Sequence, residues 1–98
     1  MTDLLTDTSL VTASEDVVSC PLDGGAALLD LHSRTYFSLN SVGSLVWDLL
    51  RSPMSISDIH KVLIARYEVE PDECYSDLAL LLRQLADAGL VRIDGADR

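Results

Sequence analysis

The hydrophobic pattern of the chain changes its period at Asn40, and this change limits the possible folds. Before Asn40, three short runs rich in strand-forming residues, at 17–22, 26–31 and 35–39, are separated by the turn signals "DGG" and "HSR". After Asn40, apolar residues recur at the three- and four-residue spacing of amphipathic helices. The sequence therefore predicts a three-stranded antiparallel sheet followed by helices.

Each of the three predicted helices has a recognisable start or end. Asn40 or Ser41 can cap the first helix, and the "RSP" that follows ends it. The second helix is expected to begin near Ser55 and to end near Tyr67. Pro71 suits the first position of the third helix, which presents a wide apolar face.

The 98 residues are enough for one domain with a modest core. We expect a loose tail at 1–8, a single domain at 9–94 and a second tail at 95–98. Gly89 is a natural end for the third helix, and the residues after it either add a short strand or dock on the core. The predicted fold class is α+β, in a winged helix-turn-helix-like arrangement with the sheet first.

Charge and composition disfavour several functions. Sixteen acidic residues against seven Lys and Arg give a net charge of -9, which repels nucleic acid and attracts basic peptides. No apolar run is long enough for a membrane helix, and the acidic N-terminus does not resemble a signal peptide, so we expect a cytoplasmic protein with no membrane partner.

The reactive residue types form no catalytic or metal-binding pattern. Cys20 and Cys74 are far apart in sequence and are expected to be two buried thiols. His32 and His60 have no partnered nucleophile or paired carboxylates at a readable spacing, so both are expected to be solvated surface residues. We expect no enzyme activity, no metal and no cofactor.

Four segments, in this order and spacing, carry a family resemblance. They are "CP" at Cys20, "LLDLHSRTYFSLNSVGSLVWDLL", "ISDIHKVLIARYEV" and "DLALLLRQLADAGLV". Together they resemble the PqqD-like family, also called RiPP recognition elements, which bind the leader region of ribosomally made precursor peptides. The "YFSLNSVGSLVW" run is most similar to the stand-alone members in lasso-peptide gene clusters. The resemblance implies a non-catalytic protein that presents a leader-bound precursor to a cysteine peptidase and an ATP-dependent cyclase.

The resemblance also implies where the leader binds, which is as an added strand against the third strand, with side chains in a cleft toward the third helix. The candidate peptide-binding residues are Thr35, Tyr36, Phe37, Ser38, Leu39, Tyr75, Asp77, Leu80, Leu81 and Gln84.

The residue pattern agrees with this site independently of the resemblance. The "TYFSL" strand has no Lys or Pro to block its edge, and it directs Phe37 and Leu39 to one face and Tyr36 and Ser38 to the other. Leu80 is apolar on the polar side of the third helix, and we expect it to form a cleft wall beside Tyr36 and Phe37, unless it is an incidental exposed leucine.

Three alternatives remain open at this stage. They are a PqqD-type chaperone of another RiPP or quinone-cofactor pathway, a winged-helix DNA-binding module, and a dimerisation module that pairs through the same strand edge.

Overall fold

The computed structural model describes residues 9–94. The elements in chain order are β1 (Leu10–Ala13), β2 (Val17–Leu22), β3 (Gly25–Asp30), β4 (Tyr36–Asn40), α1 (Ser41–Leu49), β5 (Met54–Ser55), α2 (Ile56–Arg66), α3 (Pro71–Asp87) and β6 (Val91–Asp94). The fold is α+β, and it contains the predicted three-stranded antiparallel sheet followed by three helices. The two predicted tails, 1–8 and 95–98, lie outside the described residues.

Strands β2, β3 and β4 form the predicted meander, with β3 in the middle. The turn between β3 and β4 is organised by Asp30, whose Oδ1 accepts hydrogen bonds from the backbone N–H groups of His32 at 2.9 Å and Ser33 at 3.3 Å. The bond from His32 is the main reason that the pKa of the Asp30 carboxyl lies below its ordinary value of 3.8, although desolvation opposes this shift. Arg34 completes the turn with a φ of 62°.

The helices begin where the sequence predicts, because side-chain caps satisfy their first N–H groups. Asn40 Oδ1 accepts from the Gly43 N–H at 2.8 Å, and Ser55 Oγ accepts from the Asp58 N–H at 3.1 Å. Pro71 occupies the first turn of α3, and Gly89, with a φ of 79°, follows the end of that helix.

A second three-stranded sheet, in the order β5-β1-β6, was not predicted. Strand β1 is its central strand and pairs antiparallel with two short strands that lie 40 or more residues away in sequence, for example Val11 with Met54 and with Ile93. No local hairpin signal connects such strands, so the sequence pattern alone does not reveal them. Of the two alternatives for the segment after Gly89, the structure forms a strand, β6.

The core is built from the inner faces of both sheets and the apolar faces of all three helices. Trp47, which lies off the main apolar stripe of α1, is buried in this core, as expected. The expectation of two buried thiols is wrong for Cys20, because its strand position directs it to solvent, and Cys74 is half-buried. His60 is also not a freely solvated residue: it is half-buried, and its Nε2 lies 2.9 Å from the Pro71 carbonyl oxygen of α3.

Candidate functional site

Strand β4 is an edge strand, and half of its backbone groups point away from the sheet. Within residues 9–94 it pairs only with β3. The Asp30 N–H donates to the Thr35 carbonyl at 2.9 Å, which fixes the direction of the following residues. Because backbone groups alternate along an antiparallel strand, those of Phe37 and Leu39 point toward β3. The N–H and C=O groups of Tyr36 and Ser38 therefore point outward, where an added strand could pair with them.

The opposite edge of this sheet, formed by β2, is blocked by a proline. The Leu31 N–H donates to the Asp16 carbonyl at 2.9 Å, so the even-numbered residues of β2 bond to β3 and the odd-numbered ones face outward. Pro21 is one of the outward residues, and it has no N–H to offer to another strand. The two edges are thus unequal, and only the β4 edge carries a continuous set of donors and acceptors.

The side chains of β4 alternate between the two faces of the sheet, as predicted. Leu39 is buried and Phe37 packs against the core, whereas Tyr36, at 64% exposure, and Ser38 face solvent. Tyr36 and Phe37 therefore lie on opposite faces. The expectation that both residues border one cleft beside Leu80 is wrong for Tyr36, because the helices pack on the inner face alone.

A groove of about 340 Å³ begins where β4 ends, at Asn40. Residues from α1, from the end of α2 and from α3 form an apolar lining, and Glu73 and Asp77 add two exposed carboxylates. The lining residues are Asn40, Val42, Gly43, Val46, Leu63, Tyr67, Val69, Glu73, Cys74, Asp77, Leu78 and Leu81. An extended peptide on the β4 edge would thus run beside an apolar groove with an acidic border.

Gly43 contributes to the shape of this groove by being small. A Cβ at this position would lie 3.1 Å from Leu39 Cδ2 and 3.4 Å from the Asn40 Oδ1 that caps α1. The absence of a side chain allows α1 to pack closely on β4 at the point where the groove begins.

The Cys74 thiol lines the groove. Desolvation, with a smaller contribution from the Asp77 carboxylate, raises the pKa of this thiol above its ordinary value of 9.0. Cys74 therefore acts as a small apolar part of the lining, and its raised pKa disfavours the thiolate form that a nucleophile requires. Within residues 9–94, His, Cys, Asp and Glu side chains form no cluster that could hold a metal ion.

The structure brings together only some of the predicted site residues. Asp77 and Leu81 line the groove, and Leu39 packs under its Gly43 floor. Tyr75 lies elsewhere, with its ring 5.3 Å from the His60 ring, while Leu80, at 56% exposure, and Gln84 are on the outer surface of α3. Residues 35–38 supply the edge but do not line the groove.

The sequence analysis did not identify the groove residues of α1 and α2 as site residues. Val42, Val46 and Leu63 follow the apolar stripes of their helices, and such stripes do not distinguish a groove lining from the core. Gly43 was the available signal, because a glycine inside a short amphipathic helix often marks a close approach.

The comparisons with known proteins agree with this arrangement. The family model for coenzyme PQQ synthesis protein D matches residues 25–91, which is more than half of the chain. The chain belongs to the PqqD family. The resemblance stated from the sequence, to a PqqD-like RiPP recognition element, is therefore confirmed.

Two solved structures resemble this PqqD family member over most of its length. The first is TbiB1 in complex with the TbiA(beta) leader peptide, which is 36% identical, with a TM-score of 0.75 over 83% of this chain and 94% of that one. The second is lasso peptide synthetase B1 complexed with the leader peptide, at 29% identity, with a TM-score of 0.71 over 84% and 96% of the two chains. The comparison with curated proteins gives no match. None of the helices among residues 9–94 has the length and apolar character to cross a membrane.

Proposed function

We propose that this PqqD family member binds the leader region of a ribosomally made precursor peptide, without catalysing a reaction itself. The leader adds as a strand to the outward N–H and C=O groups of Tyr36 and Ser38, and its side chains enter the groove that begins at Asn40. The observation that most directly supports this proposal is the combination of an unblocked β4 edge with a groove at its end. The two similar solved structures, both complexes with leader peptides, support this proposal.

The bound precursor is then presented to a separate cysteine peptidase and an ATP-dependent cyclase, in a lasso-peptide pathway. This part rests on the resemblance described from the sequence and on the likeness to lasso peptide synthetase B1. A PqqD-type role in another RiPP or quinone-cofactor pathway would use the same edge and groove, and the identity of the peptide that binds distinguishes these pathways.

The energetics require both the edge and the groove. Four edge hydrogen bonds contribute about 1 kcal/mol each net, and ordering a flexible peptide offsets much of that gain. Burial of one or two large apolar side chains adds about 1.5 to 3 kcal/mol each. Micromolar binding corresponds to about 8 kcal/mol, so neither source is sufficient alone.

The charges of α3 disfavour the DNA-binding alternative. The exposed surface of this helix carries the acidic residues Asp72, Glu73, Asp77 and Asp87. Its cation is Arg83, and neutralising a phosphate backbone requires several cations. The same carboxylates suit a leader that carries Lys or Arg near its apolar anchors.

The test is a titration of ¹⁵N-labelled protein with the leader peptide of a precursor identified in a neighbouring reading frame. We expect saturable amide shifts at Tyr36, Ser38, Gly43 and Asp77, and none for a scrambled peptide of the same composition. Binding at other surfaces, or no binding to the leader, would contradict the proposal. A concentration-dependent shift of the β4 amides without peptide would instead indicate self-pairing through this edge.

A further inference from the structure

One side of the groove is built by the segment that joins α2 to α3. Tyr67 and Val69 lie in the connection between the two helices, and Glu73 and Cys74 lie in the first turn of α3. We call this segment, 67–74, the groove wall. Its position sets the width of the groove, so a contact that holds the wall in place also influences what the groove binds.

Local hydrogen bonds give the groove wall its shape. The Val69 N–H donates to the Tyr67 carbonyl at 3.1 Å, and the Glu73 N–H donates to Glu70 Oε1 at 2.8 Å. Bonds between such close neighbours fix the turn and the helix cap, but they do not attach the wall to another element. A wall held by local bonds alone would be free to move as a unit.

His60 attaches the groove wall to the middle of α2. Its Nε2 lies 2.9 Å from the Pro71 carbonyl oxygen, and the centroid of its ring lies 5.3 Å from that of the Tyr75 ring. A carbonyl oxygen only accepts hydrogen bonds, so Nε2 carries the hydrogen and donates it. His60 is half-buried, and its contact with the Tyr75 ring limits the positions that the imidazole can take. The first turn of α3 is therefore tied to α2 by both a hydrogen bond and a ring contact.

His60 does not line the groove itself. The groove residue of α2 that follows it is Leu63, about one helical turn further along. Pro71 is outside the lining as well, but Glu73 and Cys74 follow it in the same turn of α3. His60 can therefore act on a bound peptide only through the position of the wall.

The opposite end of α3 is attached in a similar way, which provides a comparison. Ser14 Oγ donates to the Gly89 carbonyl at 2.9 Å, so a side chain from another part of the chain donates to a backbone carbonyl at each end of this helix. Gly89 lies well beyond Leu81, the groove residue nearest to the end of α3. Loss of either hydrogen bond should reduce stability by a similar amount, but only the bond from His60 is beside the groove.

We propose that His60 is a positioning residue for leader binding, because its contacts with Pro71 and Tyr75 hold the groove wall where the groove accepts leader side chains. This inference rests on the proposed function, since it assumes a leader in the groove. Without the hydrogen bond the wall occupies several positions. A leader that fits one of these positions then binds more weakly, in proportion to the fraction of molecules that have the fitting wall.

The test compares substitutions at His60 in a Cys20→Ser background, in which Cys74 is the remaining thiol. His60→Phe keeps a ring beside Tyr75 and removes the donor, whereas His60→Gln keeps an N–H donor at the same number of bonds from the backbone. His60→Leu replaces His60→Phe if that variant folds poorly. Ser14→Ala is the matched control, since it removes the corresponding bond at the other end of α3.

Two measurements are made on each variant. The rate at which Cys74 reacts with an aromatic disulfide reagent at a fixed pH reports opening of the wall without any peptide. Fluorescence anisotropy gives the Kd for the leader peptide of a precursor identified in a neighbouring reading frame. We expect His60→Phe to raise both the thiol rate and the leader Kd by about three- to tenfold, the effect of losing one neutral hydrogen bond. His60→Gln and Ser14→Ala should stay within about twofold of the background protein in both assays.

Several outcomes would overturn the inference. One is a folded His60→Phe variant with the thiol rate and leader affinity of the background protein, and another is a His60→Gln variant that restores neither. An equal loss of leader affinity in Ser14→Ala would show that His60 contributes only to overall stability. A faster thiol reaction with unchanged leader affinity would show that the wall moves without affecting the leader. If the wild type does not bind the leader, the proposed function fails, and the thiol rates still decide whether His60 holds the groove wall.

Discussion

A proline at position 38 tests the β4 edge most directly, because the Ser38 N–H points away from β3. Ser38→Pro removes one outward donor without breaking a hydrogen bond to β3, and its ring occupies the space through which a leader strand approaches. The variant should therefore remain folded and lose peptide affinity.

The expected loss of affinity follows from the groups involved. The missing donor removes about 1 kcal/mol of net hydrogen bonding, and the leader carbonyl left unpaired in the interface costs about 1 to 2 kcal/mol more. The sum of about 2 to 3 kcal/mol corresponds to an increase in Kd of roughly 30- to 150-fold. Ser38→Ala keeps the N–H group, so its Kd should stay close to the wild-type value.

Ser19→Pro is the matched control. Ser19 is an exposed serine whose N–H points outward from β2, the edge where Pro21 already blocks pairing. Both substitutions place a proline in an edge strand at a position whose N–H points outward, and comparing their urea unfolding separates stability from binding. Fluorescence anisotropy with a labelled leader peptide measures both Kd values. A folded Ser38→Pro variant that binds as tightly as Ser19→Pro would refute strand addition at β4.

Three further predictions concern single side chains. If Asp77 attracts a basic leader, raising the salt concentration to about 0.5 M should slow association in stopped-flow measurements, and Asp77→Asn should reduce that salt dependence. Equal on-rates at low and high salt would mean that the acidic residues contribute to solubility and not to leader binding. Leu81→Ala, inside the groove, should weaken leader binding by about 1 kcal/mol or more, as measured by calorimetry. Leu80→Ala should change the free energy of unfolding by less than about 0.5 kcal/mol and should weaken binding less than Leu81→Ala does. If Leu80→Ala weakens binding more, the leader contacts the outer surface of α3 instead of the groove. The hydrogen bonds that lower the Asp30 pKa stabilise the fold above about pH 3.8, and this contribution is lost as the pH falls through the folded-state pKa. The difference in unfolding free energy between wild type and Asp30→Ala, measured by urea unfolding, should therefore shrink below about pH 4. A constant difference from about pH 7 to about pH 2 would contradict this assignment.

The sequence was sufficient for the elements that depend on local signals. The meander follows from alternating runs and turn residues, and the helices follow from caps such as Asn40 and Ser55 that the structure shows in place. The second sheet was missed because its central strand, β1, pairs within residues 9–94 only with distant and very short strands. Such pairing is decided by tertiary packing, which a one-dimensional pattern does not contain.

The site was predictable in its strand and only partly in its helices. The alternation of "TYFSL" correctly separated Phe37 from Tyr36, but the helical pattern of α3 gave no means to decide which border of its apolar face remains open. The structure places the groove on the side of Asp77 and Leu81 of α3. Helix α1 packs closely on β4 through Gly43, and the groove lies between α1 and α3. Leu80 was conspicuous in sequence because it breaks a pattern, whereas the groove residues obey theirs.

Pro21 shows how one residue can assign different roles to the two edges of a sheet. A proline within a strand is confined to an edge position, so "VVSCPL" already indicated that β2 is an edge strand. The register adds that the missing N–H lies on the outward side, which leaves β4 as the edge that can accept a full strand. Added strands therefore extend the sheet in one direction only. The β2-β3-β4 sheet is then bounded by a blocked edge at β2 and an extensible edge at β4, so the direction in which the sheet can grow is set by the backbone of a single residue.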